Sequence, residues 1–365
     1  MKSHLIIFFS LISQLCLANM ASPLREGTHA ASAFSSRDID ILREIIQVSI
    51  DKDFSRASYR ITYHIQTDSA GQQVPLLFLA RDYLGDFQVW VDDKEVQLLA
   101  IPNEYLLTPD SLLQRFSNTF RPDGATRGEP AVVIQWQKNS GEYYHFYDLK
   151  YFEIDLDKGP HTIRVAYNAS VWTDISDWVK QSSFRYALSP AKYWRSFGSL
   201  EIELDATAFD RPFSTNLGAP HSGSLQDKAV WQYDELPAEH FEIIFQPGIN
   251  AFASLLIVIG PFGLTLLMGV FLVILHYWAI RSYRNRHPDR RHSWVVSLGS
   301  LVVPFLLLIF YMEAYELIDL AIGPAAGRYH GYTFLVIFYY PVLLLFYWLS
   351  MWRVDKYLKR RISKS

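Results

Sequence analysis

Residues 251–280 form thirty consecutive positions without a charged side chain, and His276 is their only ionisable group. At about 1.5 Å of rise per residue, roughly 20 apolar residues cross the hydrocarbon of a bilayer. This stretch therefore predicts a spanning helix with length to spare, and Pro261, between Gly260 and Gly263, is expected to kink it. Two further apolar stretches follow, about 294–318 with Pro304 inside and about 332–352 with Pro341 inside. The C-terminal region, 250–365, thus reads as three transmembrane helices, which excludes a wholly soluble protein and makes the lipid bilayer its first partner.

Charge gives this region a direction. Arg281, Arg284, Arg286, Arg290 and Arg291 follow the first span, and Arg353, Lys356, Lys359, Arg360, Arg361 and Lys364 follow the third. The loop between the second and third spans carries only Arg328. Basic residues favour the cytoplasmic side, so both clusters are expected there, with the C-terminus cytoplasmic and the chain before residue 250 outside. The same clusters need no nucleic acid to explain them, since orientation and anionic lipid account for their sign. The cytoplasmic parts are too short to hold an enzymatic domain.

The N-terminus points to the same side. Lys2 precedes the apolar run Leu5–Ile12, and small residues stand at Cys16 and Ala18. That is the pattern of a secretory signal over 1–18, with cleavage after Ala18. Cys16 is the sole cysteine, so the processed chain is expected to have no disulfide and no thiolate chemistry.

Between these ends, residues 19–249 carry 21 basic and 32 acidic side chains, against 12 and 5 in 250–365. Residues 19–36 are small and polar and read as a flexible lead-in. From there to 249 the period is two. Ser58–Ile65 alternates aromatic or β-branched residues with polar ones, and Phe87–Val91, Asp92-Asp93-Lys94 and Glu95–Leu98 read as a hairpin. Further strands are expected at Val74–Leu79, Ala131–Gln137, Tyr151–Leu156, Thr162–Tyr167, Phe184–Leu188, Leu200–Leu204, Val230–Tyr233 and Phe241–Phe245. Many short strands predict an immunoglobulin-like sandwich region over 37–249, in two lobes, with a Pro- and Gly-rich seam at 103–130 and a short helix at Ser111–Phe116.

Catalytic signatures are missing from the sequence. It contains no H-E-x-x-H, no G-x-S-x-G and no phosphate-cradling glycine loop. The histidines are scattered, so no metal or cofactor is expected. Glu153/Asp155/Asp157 and Glu201/Glu203/Asp205 alternate with apolar residues, as a solvated sheet face requires. Asn168-Ala169-Ser170 is a glycosylation sequon.

Two residue sets remain as candidates. Tyr143, Tyr144, Phe146, Tyr147, Trp172, Trp178 and Trp194 fall close together, and such rings suit a sugar or a protein partner. The plainer reading is that most of them fill the core. Glu313, Glu316 and Asp319 share about 120° of one helix face. They are candidates for an ion site or a subunit contact. Glu313, however, lies about 28 Å along the axis from Trp294, at the outer interface, where water, Arg328 and His330 satisfy carboxylates. The chain is accordingly expected to be a binding rather than a catalytic protein. It would display its β-rich region outside the cytoplasm and recognise a protein or glycan within a membrane complex. The alternatives are a hydrolase or transferase of envelope polymers using carboxylates from distant loops, and a transporter subunit using the membrane carboxylates.

Overall fold

The structure is a computed structural model. It describes residues 39–80, 83–99, 119–120, 131–137, 140–145, 149–188, 191, 194–327 and 330–362. The expected signal at 1–18, the lead-in at 19–36, the helix at Ser111–Phe116 and nearly all of the 103–130 seam lie outside the described residues.

The described part is a β-rich region followed by three long apolar helices. The strands are β1 (Ile39–Ile50), β2 (Arg56–Thr67), β3 (Gly71–Leu79), β4 (Tyr83–Val91), β5 (Lys94–Val96) and β6 (Thr119–Phe120). Next come β7 (Ala131–Gln137), β8 (Ser140–His145), β9 (Leu149–Leu156), β10 (Gly159–Ser170), β11 (Trp172–Asp174) and β12 (Gln181–Ala187). The last five are β13 (Ser196–Asp205), β14 (Ser214–Thr215), β15 (Ser222–Gly223), β16 (Lys228–Tyr233) and β17 (His240–Phe245). The described residues divide into two compact units, one within 39–174 and 181–246, the other within 247–362 together with 175–180.

In the β-rich unit the largest sheet runs β15-β16-β13-β1-β2-β10-β4-β5, and a second runs β11-β12-β17-β14. β3 pairs with β9, and β6, β7 and β8 form a small sheet. The strands expected from alternation are present, and the Asp92-Asp93 turn is a two-residue hairpin with both residues at positive φ, 48° and 66°. That is the twist a tight hairpin needs. Strands from both sides of the expected seam share the large sheet, because β10 inserts between β2 and β4. β1 and β13 are parallel, in an otherwise antiparallel sheet.

One apolar core closes the unit. Ile46, Ile61, Val89, Val165 and Ile202 come from the large sheet, Phe184, Ile243 and Phe245 from the second, and Phe78 and Phe152 from the β3–β9 pair. Phe54, in the turn after β1, packs against Phe184, Phe209 and Phe245 at 4.9–5.3 Å between ring centroids.

In the other unit α1 spans Ala251–Arg286, α2 Trp294–Ile322 and α3 Tyr340–Ile362, the last preceded by a 3-10 turn at Thr333–Tyr339. All three, the third taken together with its 3-10 turn as Thr333–Ile362, are long and apolar enough to cross a membrane. Asn250 caps α1, its side chain accepting from the Ala253 amide at 2.8 Å. α1 is broken at Gly260, whose φ of 68° is not helical, directly before Pro261. Proline cannot donate to the preceding turn, and glycine absorbs the resulting bend. The segment 175–180 is bonded to this unit through its backbone: Lys180 N donates to Ala325 O at 2.9 Å, and Gly327 N to Trp178 O at 3.0 Å.

Candidate functional site

Two irregularities shape the large sheet. In β4, the five residues from Leu84 to Gln88 run against three in β10, from Asn168 to Ala166, and Gly85 takes a φ of 73° within the extra length. In β1, Leu42 is an extra residue against β2. Bulged strands bend and twist more strongly. The solvent face of the sheet holds a concavity of about 790 Å³. Its lining mixes polar and apolar groups, and the polar side chains come from six strands: Gln47, Arg60, Asp86, Asn168, Glu203 and Lys228 are one residue from each.

Its side chains are fixed by hydrogen bonds across strands. Gln47 Nε2 donates to Glu203 Oε2 at 2.8 Å, and Ser58 Oγ donates to Asn168 Oδ1 at 2.6 Å. Beside the concavity on the same sheet, Arg43 and Gln232 both donate to Glu201 Oε2, at 2.7 and 2.8 Å. Hydrogen bonds from the Thr207 hydroxyl and amide hold Asp205 below its ordinary range. Glu201 is also lowered: burial opposes its charge, but the Gln232 and Arg43 bonds outweigh it. At neutral pH these two carboxylates are ionised acceptors. The face offers amides, hydroxyls and both signs of charge, a set suited to hydrogen-bonding a polar ligand. No cluster of three or more metal-ligating side chains occurs among the described residues.

The aromatic set singled out in the sequence does not converge among the described residues. Trp172 is half-buried on β11, with the Arg185 guanidinium 5.1 Å from its ring. Trp194 is buried and stacks on Tyr63 with centroids 6.3 Å apart. Trp178 belongs to the helical unit, beside Tyr315 and His330 at 5.7 and 5.2 Å. Tyr143 and Tyr144 lie on β8, while Phe146 and Tyr147 lie outside the described residues.

The membrane carboxylates also separate. Glu313 and Glu316 are exposed on α2. Asp319 is half-buried, with Oδ2 2.8 Å from His330 Nε2. Arg328 lies outside the described residues. Of the basic cluster after the first span, Arg281, Arg286, Arg290 and Arg291 are exposed, but Arg284 is buried against Asp355 of α3. No sequence signal marks Arg284 among its neighbours.

Searches for related proteins return structures alone. No family model matches the chain, and no curated protein matches it. Among solved structures, a Legionella pneumophila protein described as nutrient binding is 14% identical, with a TM-score of 0.39 over 60% of this chain and 70% of that one. Yeast LTA4 hydrolase is 8% identical, with a TM-score of 0.31 over 64% of this chain and 32% of that one. An M1 zinc metallopeptidase from Deinococcus radiodurans is 8% identical, with a TM-score of 0.27 over 58% and 43%. This chain spans less than half the length of either enzyme. Likeness at this level transfers no residue role.

Proposed function

We propose that the protein is an integral membrane protein of the cell envelope whose β-rich unit stands outside the cytoplasm and binds a polar partner, protein or glycan, on the concave face of its large sheet. The observation that carries this reading is the concavity itself, about 790 Å³ and lined by cross-bonded amides, hydroxyls and charges. The sheet edges favour the face over edge pairing. The terminal strands β15 and β5 are two and three residues long, too short to template an added strand. The hydrolase alternative asks for a carboxyl held protonated beside an ionised one. Asp205, which lines the concavity, is pulled the other way. Largely antiparallel sheets sharing one core support the immunoglobulin-like reading, and the parallel β1–β13 pair departs from it. Export through a signal at 1–18 and a cytoplasmic C-terminus follow from the charge pattern.

The test is position-dependent photocrosslinking of the full chain in its native membrane. A crosslinking residue at Gln88 or Asn168 should trap one defined partner, protein or glycan, identified by mass. The same group at Asp93, in the hairpin turn, should not. Equal adducts at all three positions, or none at Gln88 and Asn168, would remove the face from consideration.

A further inference from the structure

The large sheet carries an ionisable group on its other, core-facing side. β1 enters with Ile39 and Ile41 buried. Ile41 then pairs with Ile65 and Arg43 with His64, so Leu42 is left over and the phase of the strand reverses. Glu44, Ile46 and Val48 face inward in consequence. The bulge depends on the neighbouring strand having no side chain at one point. A Cβ on Gly198 of β13 would lie 2.2 Å from the Leu42 carbonyl oxygen.

The result is a carboxyl with 0% exposure in the middle of a sheet. Tyr186 Oη donates to Glu44 Oε1 at 3.0 Å, and the Tyr186 and Tyr63 hydroxyls are 2.8 Å apart. Glu44 Oε2 has no hydrogen-bond partner among the described residues. The groups around it come from three elements: β2 brings Tyr63 opposite it in register, β12 brings Tyr186, and β13 brings Leu200 opposite it; Tyr59 of β2 and Tyr167 of β10 lie beside Tyr186. Burial raises all four phenols, so they stay neutral. No cation balances the carboxylate in this set. Burial pushes Glu44 up to about 7, against the opposing pull of the Tyr186 and Tyr63 hydrogen bonds.

We propose that Glu44 is a proton-binding site that couples the seating of β1 in the core to the pH around the β-rich unit. Protonated, the acid satisfies the core as a neutral group. Ionised, it carries an uncompensated charge there, and the Leu42 bulge is the place where the strand yields, because its extra residue has no register partner in β2. The exchange is one proton between carboxyl and water. The folded unit holds that proton more tightly than an unfolded chain, where the carboxyl titrates near 4.5. Its contribution is therefore fully present below about pH 4.5, declines as pH rises towards 7, and is gone above it. The inference is independent of any ligand on the opposite face.

The experiment is hydrogen–deuterium exchange of peptides covering 39–50 in the full-length protein in nanodiscs, from pH 4.5 to 8, after correction for intrinsic exchange. In the native protein the opening equilibrium of β1 should rise on the order of a hundredfold across this range. In Glu44→Gln, neutral at every pH, it should stay flat at the low-pH value. An unchanged pH dependence in Glu44→Gln would overturn the proposal. Should Glu44→Gln fail to fold, Tyr186→Phe serves instead. It removes a hydrogen bond that favours the ionised form, so the midpoint must move to higher pH, and an unmoved midpoint counts equally against the site. A carboxyl infrared band of protonated acid at pH 5.5, absent in Glu44→Leu, reads the same proton directly. Its absence in the native protein would also refute the assignment.

Discussion

Individual side chains in this molecule are decided by partners far away in sequence. Arg284 belongs to the run of arginines from which the sequence predicts orientation, yet its own charge is committed inside the helical unit. Its Nε and Nη2 donate to the two oxygens of Asp355 at 2.6 and 2.5 Å, and its Nη1 to the Arg290 carbonyl at 2.7 Å. With Arg284 1% exposed, removing the carboxylate strands a buried guanidinium. Asp355→Asn should destabilise the helical unit by about 3 kcal/mol, as breaking one side of a buried pair does, while Arg286→Gln should change little. Thermal melts of both variants in one detergent compare them. Gly299 is a second such residue. His276 sits between the Tyr347 hydroxyl at 2.9 Å and the Val295 carbonyl at 3.1 Å, and a Cβ at 299 would meet its ring at 2.2 Å. The carbonyl can only accept, so Nε2 carries the proton and the ring is held from both sides. Gly299→Ala should therefore cost about 1–3 kcal/mol, the cost of overpacking a site that cannot give way, again read by melting.

At the scale of elements, the β4–β5 hairpin shows how a turn is fixed by a neighbour. Asp92 Oδ1 accepts from the Thr162 amide at 2.9 Å, and its Oδ2 lies 2.6 Å from His161 Nδ1, so the turn is tied to β10. Both turn residues have positive φ. Asp92→Val loses these bonds and puts a β-branched residue in the left-handed region; a loss of about 2 kcal/mol in the β-rich unit is expected, with Asp93→Gly close to neutral. Exchange protection of β4 and β10 peptides distinguishes the two. The same scale shows why some elements were legible in the sequence and one was not. The hairpin and β2 alternate without interruption. β1 does not: Leu42 breaks its period, and Glu44 replaces the apolar residue that alternation would ask for. Alternation records which residues are buried only while the register is regular.

For the whole molecule, the charge asymmetry makes a topology prediction. A reporter active only in the cytoplasm should work when fused after Ser365, and one active only outside should work when fused near Gly248. The reverse result at either point would reject the orientation. The carboxylates of α2 should behave unequally. Glu313→Gln with Glu316→Gln should leave folding and assembly nearly unchanged, since both are exposed. Asp319→Asn should disturb the packing of His330 against Tyr315 and Trp178, because it removes the charge 2.8 Å from the imidazole. Quenching of Trp178 fluorescence reports that change.

The three spans, the helix break at Gly260-Pro261, the hairpin and most strands were determined by the sequence alone, because each depends on residues next to one another. An apolar helix satisfies its own backbone, and an alternating strand declares its own buried face. What remained undetermined involves distance along the chain. The parallel pairing of β1 with β13 joins residues more than 150 positions apart, the concave polar face draws on six strands, and the aromatic cluster in the sequence disperses into separate sites. Whether Arg284 is an orienting charge or half of a buried pair depends on Asp355, 71 residues later, and whether Glu44 meets water or core depends on one bulge opposite one glycine. Period and composition specify how much of each element is buried. Only the folded arrangement of elements selects what each residue is buried against, because pairing energies are summed across strands and helices that the local pattern does not connect.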